Sequence, residues 1–320
     1  MLSRRDTLGL LSGAAAGPWL AAFEAAAAPL TYTLQPVKLD DGIWMVVGVP
    51  EAITLANGGA IANVSILDTT AGAIVIDTGP SHRYGEALAK LATKLTGKPV
   101  ARVYLTHFHP DHIFGNQGFA PETIASSRGV ADGMKELGEA FASAMYHSAG
   151  DWMRGTELVL PGTIVGSDVE DFGNRRIRPL AMRGHTGADL VLFDELSGFL
   201  FTGDLVFLDR APTTPHADLE RWRISLANLG GIPHARLVPG HGPAEDSGRG
   251  IEQTRQWLEA VEGIVREAFE KGLDVTEAIA LPLPSWTEKI ALARYEYERT
   301  VMHLYPKFEA DRWPRVDKKG

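Results

Sequence analysis

Residues 106–112 read Thr-His-Phe-His-Pro-Asp-His, with three imidazoles and a carboxylate crowded between His107 and His112. In a folded chain these groups desolvate and repel one another unless a cation lies between them. Nitrogen and carboxylate oxygen without sulfur suit zinc, with iron or manganese next in order. The run just before, Val100 to Leu105, is β-rich and short, so the cluster begins where a buried strand ends. In α/β proteins the loops at the carboxyl ends of strands build the sites. Pro110 is expected to block a regular helix across the cluster.

Upstream, residues 31–39 and 43–48 are β-rich and separated by Asp40-Asp41-Gly42, a hairpin signal. Residues 61–67 and 73–77 make a second pair, and Ser81 to Lys94 carries helical apolar spacing. The order β-β-α-β predicts an α/β layered fold. Downstream, residues 113–155 read as mostly helical, with a polar loop at 148–154. Short strands are expected near 157–160, 163–165, 176–181, 189–193, 198–202 and 236–238, with a helix over 219–229. The last third is helical. Ile251, Leu258, Val261, Val265 and Phe269 share one face, so 248–320 reads as a helical C-terminal extension of one domain spanning 28–320.

Three further positions carry a ligand signal. His185 sits in Arg183-Gly-His-Thr-Gly187, a glycine-bracketed turn that lets backbone approach closely. Asp204 ends the apolar run Leu200-Phe-Thr-Gly-Asp204 with a carboxylate. His241, between Gly240 and Gly242, repeats the His185 arrangement. His82, His147, His234 and His303 lack such neighbourhoods and read as surface or helix-end residues.

Composition narrows the class. The chain has 320 residues, 45 % hydrophobic, a net charge of −9 and no cysteine. Acidity without a basic stripe argues against nucleic acid or an anionic membrane as partner. Thiolate chemistry is excluded, and an oxidising compartment poses no risk of mispaired thiols. Residues 1–27 hold Arg4-Arg5, a weakly apolar Leu/Ala/Gly segment and an alanine run to Ala28. This resembles a cleaved twin-arginine signal, which implies passage through the twin-arginine machinery and a periplasmic location. Gly13, Gly17 and Pro18 argue against stable membrane insertion of that segment.

Taken together, Asp77 at a strand end, the 106–112 cluster, Gly-His-Thr-Gly at 184–187, Thr-Gly-Asp at 202–204 and Pro-Gly-His-Gly at 239–242 resemble the metallo-β-lactamase-fold hydrolase superfamily. The resemblance covers nearly all of the chain beyond the signal. It implies an αββα sandwich with two zinc ions between the sheets. One would take His107, His109 and His185; the other would take Asp111, His112 and His241. Asp204 would bridge them, and Asp77 would brace the site from beneath.

The chemistry so implied is attack by a metal-bridging hydroxide on an ester, thioester, lactone or amide-like bond of a small molecule. Asp111 would orient the hydroxide and carry its proton to the leaving group. Arg210, His216 and Trp152 are candidate substrate contacts, with an ion pair as the alternative for Arg210 and a helix cap for His216. The segments 76–86, 112–117, 150–156 and 210–218 are similar to periplasmic quinoprotein relay system zinc metallohydrolases, related to a sulfur-oxidation hydrolase. That similarity implies association with quinoprotein dehydrogenase and cytochrome c systems.

Competing readings separate on single residues. Within the family as it resembles this chain, true β-lactamases typically lack the aspartate at 204, and flavodiiron proteins carry glutamate where His109 stands. A mononuclear iron enzyme similar to persulfide dioxygenases is an alternative. So is a non-catalytic carrier for a quinone cofactor or a sulfur compound. Acidity and the export signal disfavour an RNA-processing hydrolase.

Overall fold

Two β-sheets lie face to face in the computed structural model, which describes residues 30–312. The signal-like segment 1–27 lies outside the described residues. The first sheet holds seven strands in chain order: β1 (Pro36–Asp40), β2 (Ile43–Val46), β3 (Val64–Thr69), β4 (Gly72–Ile76), β5 (Val100–Tyr104), β6 (Ile124–Ser126) and β7 (Thr163–Ile164). Pairing is antiparallel through β4 and parallel from β4 to β7. The second sheet holds β8 (Glu170–Asp171), β9 (Arg176–Met182), β10 (Asp189–Asp194), β11 (Phe199–Phe207) and β12 (Arg236–His241), with only β11 and β12 parallel.

The side-chain period of 2 sorts each central strand between two cores. On β4, Ile74 and Ile76 point inward with Leu192, Phe201 and Val238 of the other sheet, while Ala73 and Val75 meet the helices outside. Those helices are α1 (His82–Thr96) and α3 (Arg128–Ala149); the four-residue α2 (Pro110–Ile113) lies between them in sequence. Ser81 caps α1 by accepting from the Tyr84 amide. The second sheet is covered by α4 (Leu219–Gly230), α5 (Arg249–Glu270), α6 (Val275–Ile279) and α7 (Ala293–Arg312). The expected αββα sandwich is what the chain forms.

As expected, no regular helix crosses the cluster: His107 to His109 are non-helical, and Pro110 opens the four-residue α2 at the first position, where its missing N–H costs nothing. Some local expectations need correction. Residues 157–160 form no strand, because Leu158 packs on Gly138 of α3 and the Val159 carbonyl accepts from Asn116. The two- and three-residue strands β6 and β8 carry too little pattern to be read. The helical C-terminal region is present as expected, and it packs into the fold. Leu258, Val261 and Val265 of α5 are fully buried on the second sheet, worth roughly 5–9 kcal/mol together. That is comparable to the whole stability of a domain, so α5 is an integral layer.

Candidate metal centre

Every ligand candidate stands at a strand end or on a strand irregularity facing the same rim. His107 to His112 follow β5, His185 lies between β9 and β10, and His241 closes β12. Asp204 sits inside β11 rather than at its end. Around it the β11–β12 register shifts on both sides of Gly203, whose φ is +51°. This bulge re-aims the following carboxylate toward the rim. A Cβ at Gly203 would lie 2.7 Å from Thr106 Cβ, and one at Gly240 would lie 1.9 Å from Asp204 Oδ1. Both glycines are there because backbone and carboxylate must pass this closely.

The donor atoms fall into two sets. His107, His109, His185 and Asp204 form one, and Asp111, His112 and His241 the other, with atoms in each set within 4.8 Å of one another. Asp204 reaches into both. Its Oδ2 is 3.7 Å from His107 Nε2, 3.3 Å from His185 Nε2 and 3.3 Å from His241 Nε2, and its Oδ1 is 3.2 Å from His112 Nε2. Asp111 Oδ2 stands 3.4 Å from His241 Nε2 and 3.6 Å from His112 Nε2.

All seven residues are buried, yet among the described residues His107 Nε2, His112 Nε2 and Asp204 Oδ1 have no hydrogen-bond partner. Buried polar atoms are normally satisfied. These converge on common points, which is what a divalent cation requires of nitrogen and carboxylate donors.

The far side of the rings is braced. His112 Nδ1 is 2.8 Å from Asp77 Oδ2, which also accepts from Thr106 Oγ1 at 2.8 Å. His107 Nδ1 is 3.0 Å from that same Thr106 hydroxyl, and His241 Nδ1 is 2.8 Å from the Ile61 carbonyl. Such partners select the tautomer that leaves the other nitrogen free for a metal. Asp77 itself adopts φ +62°, a costly conformation for a non-glycine residue. Asp77→Asn is therefore expected to lower metal affinity about 10- to 100-fold while the protein stays folded, as read by competition with a chromophoric chelator.

Electrostatics follows burial. Burial drives His107 and His185 well below the ordinary 6.5, and takes His109 down to about 3. For His112 burial pulls downward, but the carboxylates of Asp204, Asp77 and Asp111 outweigh it and raise the group well above 6.5. Asp204 is penalised by burial and still lies well below its ordinary value, because the imidazoles of His241, His112 and His107 surround it.

The three candidate substrate contacts fare differently. His216 lines the cavity above the rim, but its Nδ1 is 2.9 Å from His109 Nε2, so it braces that ring. The cap of α4 is Asp218, not His216. Arg210 also lines the cavity, yet its guanidinium lies 3.5 Å from the buried Glu296 and over the Phe207 ring, so the ion pair prevails. Trp152 is outside the cavity. Its Nε1 donates to the Leu55 carbonyl and its ring packs on Tyr32, so Trp152 holds the 52–59 loop, while Ser148 of the same segment lines the cavity.

Sequence reasoning missed others. Thr106 and Asp189 were visible beside their motifs. Asp189 accepts from the Thr186 amide and hydroxyl, fixing the His185 turn, and burial pushes its carboxyl up to about 7. Glu296 and Arg299 on α7 line the cavity with no local signal at all.

Comparison with known proteins points the same way. The model of the metallo-beta-lactamase superfamily matches residues 57–241. A metallo-beta-lactamase type 2 from Bacillus sp. is 25 % identical over 229 residues, 68 % of this chain and 80 % of that protein. A linear primary-alkylsulfatase from Pseudomonas sp. is 35 % identical over 62 residues, 19 % of this chain and only 12 % of the relative. Among solved structures, a beta-lactamase domain protein from Burkholderia ambifaria has a TM-score of 0.60 at 18 % identity, covering 88 % of this chain and 91 % of the other. A metallo-beta-lactamase from Pontibacter korlensis has a TM-score of 0.57 at 21 % identity, covering 71 % of this chain and 99 % of its own.

Proposed function

The chain belongs to the metallo-beta-lactamase superfamily, and from that premise we propose that it is a binuclear zinc hydrolase of small molecules. The observation carrying this reading is the pair of buried donor sets that share Asp204. His107, His109 and His185 would hold one ion, Asp111, His112 and His241 the other, with Asp204 between. Two bound divalent cations lower the pKa of water from 15.7 to about 7 and polarise the oxygen of the bond to be cleaved.

The chain's own residues supply the rest. Asp111, on the first turn of α2, faces the cavity and is in place to orient the attacking water and carry its proton to the leaving group. Thr106, Asp77, Ile61 and His216 keep four of the rings in register, so little reorganisation accompanies reaction. The cavity, about 300 Å³, is at the small end of ligand pockets and suits a molecule, not a polymer.

The bond attacked is an ester, thioester, lactone or related bond. The twin-arginine-like residues 1–27 support a periplasmic setting, in which service to a quinoprotein dehydrogenase and cytochrome c system is the fitting role. The test is metal content of the purified protein by emission spectroscopy, paired with a panel of esters, thioesters, lactones, a β-lactam and an alkyl sulfate. The last two enter because relatives carry those activities in their names. Two zinc equivalents with turnover of one class is the expected result. Stable zinc with no turnover across the panel, and stoichiometric binding of a quinone or sulfur compound, would instead make it a carrier.

A further inference from the structure

The matched family region ends at residue 241, yet one wall of the cavity is built by α7, beyond it. The helix is held there by backbone and side chain together. Ala211 N donates to the Ala291 carbonyl, Ala291 N to the Asp209 carbonyl, and the buried Thr214 and Thr300 hydroxyls meet at 2.9 Å. The segment following β11, the strand that carries Asp204, is thus tied to the start of α7.

This docking adds polar groups to a cavity that also has apolar lining. Ile53, Ile61, Phe141 and Met145 supply apolar lining; Thr213, Glu296 and Arg299 supply polar lining. Glu296 is fully buried between two guanidinium groups, Arg210 at 3.5 Å and Arg299 Nη1 at 2.9 Å. Two cations facing one carboxylate leave a surplus positive charge in the wall. Arg210 is enclosed, spending Nη1 on the Ala211 carbonyl and Nη2 on Glu296. Arg299 is different, with its side chain 40 % exposed.

All hydrogen bonds of Arg299 to the described residues run through Nη1: to Thr213 Oγ1 at 2.7 Å and to both Glu296 oxygens. The Tyr295 ring lies 5.5 Å beneath its guanidinium carbon. Three bonds and a ring therefore fix the plane of the group, while Nε and Nη2 have no partner among the described residues. Those two N–H groups form one edge of the fork, the geometry that takes a carboxylate or sulfate in two parallel bonds.

Resting on the hydrolase reading above for its context, the geometry points to Arg299 as the anion-recognition residue of the cavity. The substrate it selects has an apolar body and one small oxyanion, carboxylate or sulfate, lying beside the bond to be cleaved. Ile53, Ile61, Phe141 and Met145 receive the body, and the free edge of Arg299 receives the oxyanion. Glu296 and Thr213 act as positioning residues for Arg299, and Arg210 balances the buried Glu296 charge.

Calorimetric titration of the zinc-loaded full chain tests this without requiring turnover. Phenylacetate and hexyl sulfate serve as probes, each set against an uncharged counterpart, phenylacetamide and hexanol. The protein is expected to prefer at least one anion over its counterpart. Arg299→Ala is expected to cut that preference about 10- to 100-fold, the value of a charged two-point contact, with zinc content unchanged. Arg299→Lys keeps a cation for Glu296, and it is expected to recover only part of the preference. It is the informative variant if the alanine protein fails to fold.

The inference is overturned if neither anion is preferred. It also fails if the preference is the same in wild type and both variants, for the metal ions alone then hold the anion. A protein that hydrolyses nothing but shows the Arg299-dependent preference sinks the hydrolase reading and keeps the subsite. One that hydrolyses uncharged esters and shows no preference does the reverse.

Discussion

Asp204→Ala is expected to strip metal from the centre and to lower kcat/KM by about a thousandfold on any substrate the protein turns over, since metal-based stabilisation of a transition state is worth several kcal/mol. Among the described carboxylates it alone is ion-paired with histidines of both donor sets: its two oxygens lie 3.2–3.7 Å from the nitrogens of His107, His112, His185 and His241. Without it, each set loses its shared anion, and in the binuclear reading proposed above the two ions would lose the carboxylate between them. Asp204→Asn keeps the volume and one acceptor, so it should retain the fold and more metal than the alanine variant. Emission spectroscopy and kcat/KM on the same preparations check both. A variant holding two equivalents at full activity would remove Asp204 from the centre.

Removal of the metal is expected to leave a protein whose stability peaks near neutral pH and falls on both sides. In acid, the unfolded chain takes up a proton on His109 near 6.5, whereas the folded chain refuses it until about 3. Between those values the unfolded state binds more protons, so stability present above 6.5 is lost as the pH falls. The gap is worth about 5 kcal/mol at 1.36 per unit, a large share of a typical 5–15 kcal/mol. His107 and His185 act in the same direction, and Asp204 joins below its ordinary 3.8.

His112 acts oppositely. The folded chain holds its proton above 6.5, so the stability it contributes below 6.5 disappears as the pH rises through its elevated value. Bound metal replaces both effects, because metal needs deprotonated ligands and leaves in acid. Thermal unfolding of the chelated and zinc-reloaded protein between about pH 4 and 9 reads this out. A chelated protein whose Tm is flat from 6.5 downward would contradict it.

Much of the centre was legible because its residues are chemically costly anywhere else. Three imidazoles and a carboxylate within His107–His112, or an imidazole between two glycines at His185 and His241, have few bland explanations. The α/β layering was legible from strand and helix periods in their order, and the αββα sandwich from the family resemblance. The bulge at Gly203 was not, since it depends on how β11 and β12 pair across the sheet.

The roles of Trp152, Arg210 and His216 show where local reading ends. Each lies near the motifs in sequence, yet one props a loop, one neutralises a buried glutamate and one braces a ring. Arg299 was silent, one of four Lys and Arg residues on a polar helix with no motif around it. By itself the sequence singled out the candidate donors, four by close spacing within His107–His112 and the rest, His185, Asp204 and His241, by their turn or strand-end settings and the family resemblance. Only the tertiary structure decided what faces those donors across the cavity. That depends on α7 packing some 90 residues after Asp204 in the chain, and contacts between such distant segments leave no periodic trace in either one.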